Sequence, residues 1–164
     1  LMLEADHILL PGQPASDALE AYRALAMTLS SAEALGATQA ALDTTVDYTK
    51  QRVQFGQPLA SFQALQHRMS NMLIQTELTR SLIYAACNAA DNGHDDAARF
   101  ARAAKVKATT VGRAVSQEAI QLHGGIATTD EYIVGHFFKR ITALESWVCS
   151  KGEALKEFMA LSPS

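Results

Sequence analysis

The 164-residue chain lacks most of the features that mark specialised protein classes. Its two cysteines, Cys87 and Cys149, are too few and too far apart in sequence for a disulfide framework or a zinc site. Its four prolines stand at positions 11, 14, 58 and 163, so more than a hundred consecutive residues contain no helix breaker. Charged residues are scarce, at 19%, and the formal net charge is −3. Without clustered Lys and Arg to neutralise phosphates, nucleic acid is excluded as the main ligand. No apolar run approaches the ~18–20 residues that cross a bilayer, and no secretory apolar segment is present. These absences point to a cytoplasmic protein with neither nucleic acid nor membrane as a partner. β-branched residues are scattered and sustained alternation is missing, so nothing reads as a clear strand.

What is present is 48% apolar residues, enough to build a core. Alanine, the best helix former, supplies more than one residue in six. Residues 1–16 read as an irregular lead-in, with Pro11-Gly12 as a turn. Asp17 and Glu20 have the spacing of an N-cap pair. Leu19, Tyr22, Leu25, Leu29, Ala32, Leu35, Ala40 and Val46 then recur at helical steps and predict one buried face of a helix to about Lys50. After Gly56 and Pro58, Ser61 is placed to cap a second helix whose stripe runs through Phe62, Leu65, Met69 and Met72, then Ile74, Leu78, Leu82 and Ala85, to Asn92-Gly93. A third helix starts at Asp95 or Asp96, buries Ala104, Ala108, Val111, Val115, Ala119 and Leu122, and stops at Gly124-Gly125. Thr128 to Glu131 spells a capping box for a short fourth segment, and a last helix is expected over 141–160. Long helices joined by short loops give an all-α, antiparallel up-and-down bundle of four to five helices over residues 17–164. Apolar residues on more than one helical face imply cover by another domain or subunit. The chain begins at Leu1 and not at Met, which points to a piece of a longer protein.

Most candidate sites have a plain structural reading. A di-metal site needs Glu-x-x-His on two helices, and the only such spacing, Glu4 to His7, has no second copy. No metal site is expected. Cys87 reads as an inert thiol in an Ala-rich helix, and His67 as a helix-surface group. His123 and His136 remain open between structure and ligand contact. Two segments carry more chemistry. In Arg52-Val53-Gln54-Phe55-Gly56-Gln57-Pro58, a permanent guanidinium sits beside a glycine turn and an aromatic ring, a combination able to meet phosphate and pack on a flat ligand. In Gln121-Leu122-His123-Gly124-Gly125, paired glycines allow either close backbone approach or a simple helix stop.

Together these segments resemble the C-terminal domain of the acyl-CoA dehydrogenase family. The resemblance rests on Tyr48 through Leu59, on Phe62-Gln63 with His67-Arg68, on Gln121 through Ile126, and on Glu131-Tyr132, in family order over roughly residues 20–160. It implies a flavoprotein with a helical N-terminal domain, a β-domain and this bundle, usually a tetramer. Such proteins oxidise an acyl-CoA to the trans-2-enoyl-CoA in fatty acid β-oxidation and related lipid metabolism, reducing FAD, with an electron-transfer flavoprotein as the usual acceptor. By position, Arg52 would bind the FAD pyrophosphate, Phe55 would pack near the cofactor and Gln63 would hydrogen-bond it. Gln121, Leu122, His123, Gly124 and Gly125 would line the adenosine side of a neighbouring subunit's FAD.

The α-proton of the substrate needs a carboxylate to receive it. Most family members carry that Glu where this sequence has Val148 or Cys149, and a second branch carries it where this sequence has Ala26. Glu145, one helical turn from the first position, is the candidate base on this chain. The alternative is a subunit without a base in a hetero-oligomer. The segment 128–143 is similar to the bacterial branch of heteromeric dehydrogenases of steroid side-chain degradation. A second alternative is a helical assembly module with no flavin.

Overall fold

A computed structural model describes residues 12–161. Five helices follow one another: α1 (Gly12–Gln51), α2 (Gln63–Asp91), α3 (Ala97–His123), α4 (Ile133–Ser146) and α5 (Lys151–Ala160). The architecture is the expected helical bundle. Tyr48, near the end of α1, meets His123 at the end of α3, so these helices run parallel with α2 returning between them. Helix α4 runs back along α3, and α5 packs at the end where α1 begins, with Glu157 against Arg23 and Arg102.

Helix α1 starts at Gly12, earlier than the expected Asp17, so residues 12–16 are helical and the rest of the proposed lead-in, with Glu4 and His7, lies outside the described residues. Pro14 falls in the first turn, where its missing N–H costs nothing. Asp17 is inside the helix and accepts from Gln13 Nε2 at 2.7 Å. Glu20 reaches Arg102 instead of capping.

The buried face of α1 also differs from expectation. Leu19, Tyr22, Leu25 and Leu29 are exposed. The face turned inward carries Met27, Thr28, Ser30, Ser31, Ala34, Leu35, Thr38, Ala41, Leu42, Thr45 and Thr49. Each of its hydroxyls donates to a carbonyl three or four residues back, as Thr38 does to Ala34 at 2.7 Å and Thr45 to Ala41 at 2.6 Å. A self-satisfied hydroxyl can be buried without a penalty, and a small side chain lets the helices approach. At Gly112 on α3 an added Cβ would stand 3.0 Å from both Ile141 Cγ2 on α4 and Thr38 Oγ1 on α1. Helix α3 buries the stripe expected of it, from Ala104 to Leu122, and is the central element.

Local details depart from the sequence reading at three ends. Ser61 does not cap α2; its Oγ donates to the Pro58 carbonyl, within a two-residue hairpin in which β1 (Val53–Gln54) pairs with β2 (Gln57–Pro58). Phe55 and Gly56 form its turn with φ of +54° and +81°, the paired positive values of a tight hairpin. Thr128 makes no capping box; residues 124–128 form a 3-10 turn, Thr128 Oγ1 donates to Gly125, and α4 begins at Ile133. The expected final helix over 141–160 is broken at Trp147–Ser150. There Val148 adopts φ +70°, and Ser150 opens α5 with a complete capping box to Glu153.

One buried cation holds this break. Lys105, fully buried on α3, donates from Nζ to the carbonyls of Leu144 at 2.6 Å and Trp147 at 2.8 Å. It thus supplies donors to the C-terminus of α4, where helix carbonyls lack partners and positive charge is favoured.

Candidate functional site

The two motif segments meet at one end of the bundle. Tyr48 stacks on His123 with ring centroids 4.3 Å apart and donates its hydroxyl to the His123 carbonyl at 3.3 Å. Tyr132 closes the cluster, 5.1 Å from the His123 ring. The His123 ring is buried, and Nδ1 lies 2.8 Å from the Ala119 carbonyl. Burial pushes its pKa below the ordinary 6.5 against the pull of the Ala119 and Thr44 carbonyls, so the ring is neutral.

Around this buried knot the remaining motif residues face outward. Arg52 is exposed, and its guanidinium makes no hydrogen bond or ion pair within the described residues. Phe55, 91% exposed at the hairpin tip, meets Phe62 edge to face at 6.2 Å. Gln63 and Gln121 are exposed. Gly124 and Gly125 are exposed too, and Gly124 has φ +68° with nothing within 4 Å of where a Cβ would point. Leu122 and His123 differ: both side chains are buried, so only their backbone borders this surface. An unpaired guanidinium, a presented ring, two free amides and bare glycine backbone fit a flavin dinucleotide. Arg52 suits its pyrophosphate and Phe55 a flat ring. Among the described residues, no group of three or more His, Cys, Asp or Glu is placed to hold a metal, and no helix is long and apolar enough to cross a membrane.

A second concavity lies far from this end. Tyr22, Leu25, Ala26, Leu29, Ser30 and Glu33 of α1 face Arg140 of α4 and Trp147 across a groove of about 280 Å³. Glu33 Oε1 accepts from Arg140 Nε at 2.5 Å. Glu145 does not line this groove. Its carboxylate pairs with Arg113 at 3.0 Å and lies 4.0 Å from Lys151.

The sequence profile "Acyl-CoA dehydrogenase, C-terminal domain" matches residues 19–148. The chain belongs to the acyl-CoA dehydrogenase family. It is 40% identical over 115 residues to acyl-CoA dehydrogenase IpdE2 of Mycolicibacterium smegmatis, covering 70% of this chain and 35% of that protein. Its fold matches butyryl-CoA dehydrogenase of Megasphaera elsdenii with a TM-score of 0.79 at 32% identity, over 82% of this chain and 35% of the other. The Tcur3481-Tcur3483 steroid ACAD gives a TM-score of 0.80 at 32% identity, over 84% and 38%. The chain thus spans little more than a third of the length of these relatives.

Within that family, Ala26 and Val148 or Cys149 are the positions where the resemblance puts a catalytic carboxylate. Ala26 lines the groove, and Trp147, the residue before Val148, lines it from the other side. Val148 and Cys149 themselves turn away from it and pack on the core around Met27, with Cys149 Sγ 3.8 Å from Met27 Sδ, and none of the three positions carries a carboxylate. Sequence reading missed the Glu33–Arg140 pair and the Lys105 anchor. No spacing signal links groups that far apart in the chain, and a lysine inside an alanine-rich helix reads as solvated.

Proposed function

We propose that the protein to which this chain belongs is an FAD-dependent acyl-CoA dehydrogenase, with the α1–α4 groove forming part of the acyl site and the Arg52 end holding FAD. The exposed, unpaired Arg52 beside the presented Phe55 ring, in a chain whose residues 19–148 match the family's C-terminal domain, carries this reading. Arg52 binds the pyrophosphate, Phe55 packs on the cofactor and Gln63 hydrogen-bonds it; Gln121, Gly124 and Gly125, with the backbone of Leu122 and His123, line its adenosine side. When bound, FAD supplies the hydride acceptor. The groove's aliphatic and aromatic walls exclude water from the acyl chain. Ala26 and Arg52 are 26 residues apart on or just beyond one helix, about 39 Å of rise, so a single flavin does not bridge both ends of one chain. This separation supports an oligomer in which the cofactor end of one subunit serves the groove of another. A homo- or hetero-tetramer meets that need, and an electron-transfer flavoprotein is the proposed acceptor.

The base has two readings. Glu145 is the carboxylate nearest in sequence to the usual position, but its pairing with Arg113 and its place outside the groove favour a base supplied by another subunit. If Glu145 acts, Glu145→Gln abolishes turnover; if a partner supplies the base, turnover survives. The family function is tested by mixing the full-length, FAD-loaded protein anaerobically with acyl-CoA esters. Bleaching of the flavin absorbance with formation of enoyl-CoA is the expected result, in the presence of the partner subunit if the base is external. A protein that retains no flavin, or whose flavin no acyl-CoA perturbs, overturns it. Arg52→Ala should weaken FAD binding about tenfold or more, since a charge-assisted hydrogen bond contributes roughly 1.5–3 kcal/mol. Flavin absorbance after gel filtration measures this, and unchanged retention removes Arg52 from the site.

A further inference from the structure

We propose that the α1–α4 groove takes an acyl group bearing a hydroxyl near its far end, recognised by the Arg140–Glu33 pair. This rests on the acyl-CoA reading above. From Ala26 to Glu33 on α1, and from Trp147 back to Arg140 around α4, the separation is seven residues in each case. That is about 10 Å of helix, roughly the span of an extended eight-carbon chain. Between these limits the apolar wall is Leu29, and Tyr22, Leu25 and Trp147, all exposed, extend the wall beyond Ala26 on the side away from Glu33. The only charged groups lining the groove are Glu33 and Arg140. An acyl group whose α-carbon lies beside Ala26 and Trp147 and that runs toward Glu33 therefore passes Leu29 and ends at a polar stop.

The geometry of the stop selects the chemistry. Arg140 spends Nε on Glu33 Oε1, and its two terminal nitrogens make no hydrogen bond within the described residues. Glu33 Oε2 is likewise uncommitted. The pair offers free donors beside a free acceptor while its charges cancel. Both side chains are about half exposed, so an aliphatic end lying over them would displace their water without replacing its hydrogen bonds. A carboxylate would meet Arg140 but also the Glu33 charge. A hydroxyl accepts from an Arg140 nitrogen and donates to Glu33 Oε2, satisfying both. The specificity arises because a site that hydrogen-bonds a substrate hydroxyl rejects the analogue lacking it.

The test uses the full-length, FAD-loaded protein, with its partner subunit if it has one. Unreactive octanoyl-CoA analogues with sulfur in place of Cβ are titrated by calorimetry, as the unsubstituted, ω-hydroxy and ω-carboxy forms. The hydroxylated analogue is expected to bind about tenfold tighter than the unsubstituted one, one hydrogen bond to a charged group being sufficient for that ratio. Arg140→Met should bring the ratio near one. Glu33→Gln, which preserves volume, should lower it several-fold, and circular dichroism melts show that each variant is folded. Equal binding of hydroxylated and plain analogues overturns the proposal and assigns the pair to a contact with another part of the protein. Tighter binding of the carboxylated form overturns the hydroxyl assignment in favour of an anion. If no analogue binds although FAD is retained, the acyl-CoA reading itself falls and takes the proposal with it.

Discussion

His123 shows how one side chain ties folding to the cofactor end. Its ring fills the space between Tyr48 and Tyr132 and is buried in its neutral form. The folded-state pKa lies below 6.5, so between those two values the unfolded chain binds a proton that the folded chain refuses. Stability therefore rises with pH through that window and is lost as pH falls below about 6.5. Thermal melts between pH 7.5 and 5 should show a falling Tm in the wild type and a flatter profile in His123→Gln. A parallel decline in both proteins would assign the acid sensitivity to other groups. The sequence left His123 open between cap and ligand contact. It could not show that the neighbouring Tyr48, 75 residues away, would bury the ring and leave only the backbone of this motif at the surface. Arg52, Phe55 and the glycines were legible because their exposure follows from local turn chemistry.

At the scale of elements, legibility depended on how each helix buries itself. Helix α3 packs aliphatic and alanine side chains at regular helical steps, so its stripe could be read directly. The first half of helix α1 reverses the usual sign: Leu19, Leu25 and Leu29 face outward while Thr28, Ser30 and Ser31 face inward, because back-bonded hydroxyls remove the cost of burying them; Leu35 and Leu42 are buried as usual. The α4–α5 break was invisible for a different reason. Neither proline nor glycine marks it, and a β-branched valine takes the positive φ that glycine normally supplies. The break is maintained from outside by Lys105. Lys105→Met would remove the only donor that the Trp147 carbonyl has, at roughly 1–3 kcal/mol, but would also remove a buried charge whose desolvation lowers its pKa from 10.5. These effects oppose each other, so Tm at neutral pH should change little while the 147–150 link loosens. Trp147, the sole tryptophan of this chain, reports it. Its ring is already 63% exposed, so the loosening should lower its fluorescence anisotropy. The difference between the two proteins should also vary with pH. As pH rises toward 10.5, the unfolded wild type holds the lysine proton that the folded state releases, so wild-type stability gains on the variant. An unchanged anisotropy would mean that Lys105 does not hold the link.

Among the exposed apolar residues of the described chain, two helix faces stand out. One is the groove wall of α1. The other lies on α2, where Ile74 and Leu78, one helical turn apart, stand about half exposed. An isolated bundle rarely leaves such rows uncovered, and in the proposed function the long separation of the Arg52 end from the groove calls for a second subunit. On the proposed function, α1 receives substrate and other domains, and α2 receives a subunit. Replacing both Ile74 and Leu78 by Asp tests the assignment. Neither side chain is in the core, so the helical signal of the bundle should persist. Burying a carboxylate in an apolar interface is strongly unfavourable, so the full-length protein should shift to a smaller species in sedimentation velocity. FAD should then be lost together with the oligomer, because the Arg52 end no longer faces a neighbour's flavin. Loss of the oligomer with FAD fully retained would show that each chain holds its own cofactor, and an intact oligomer would move the interface away from α2.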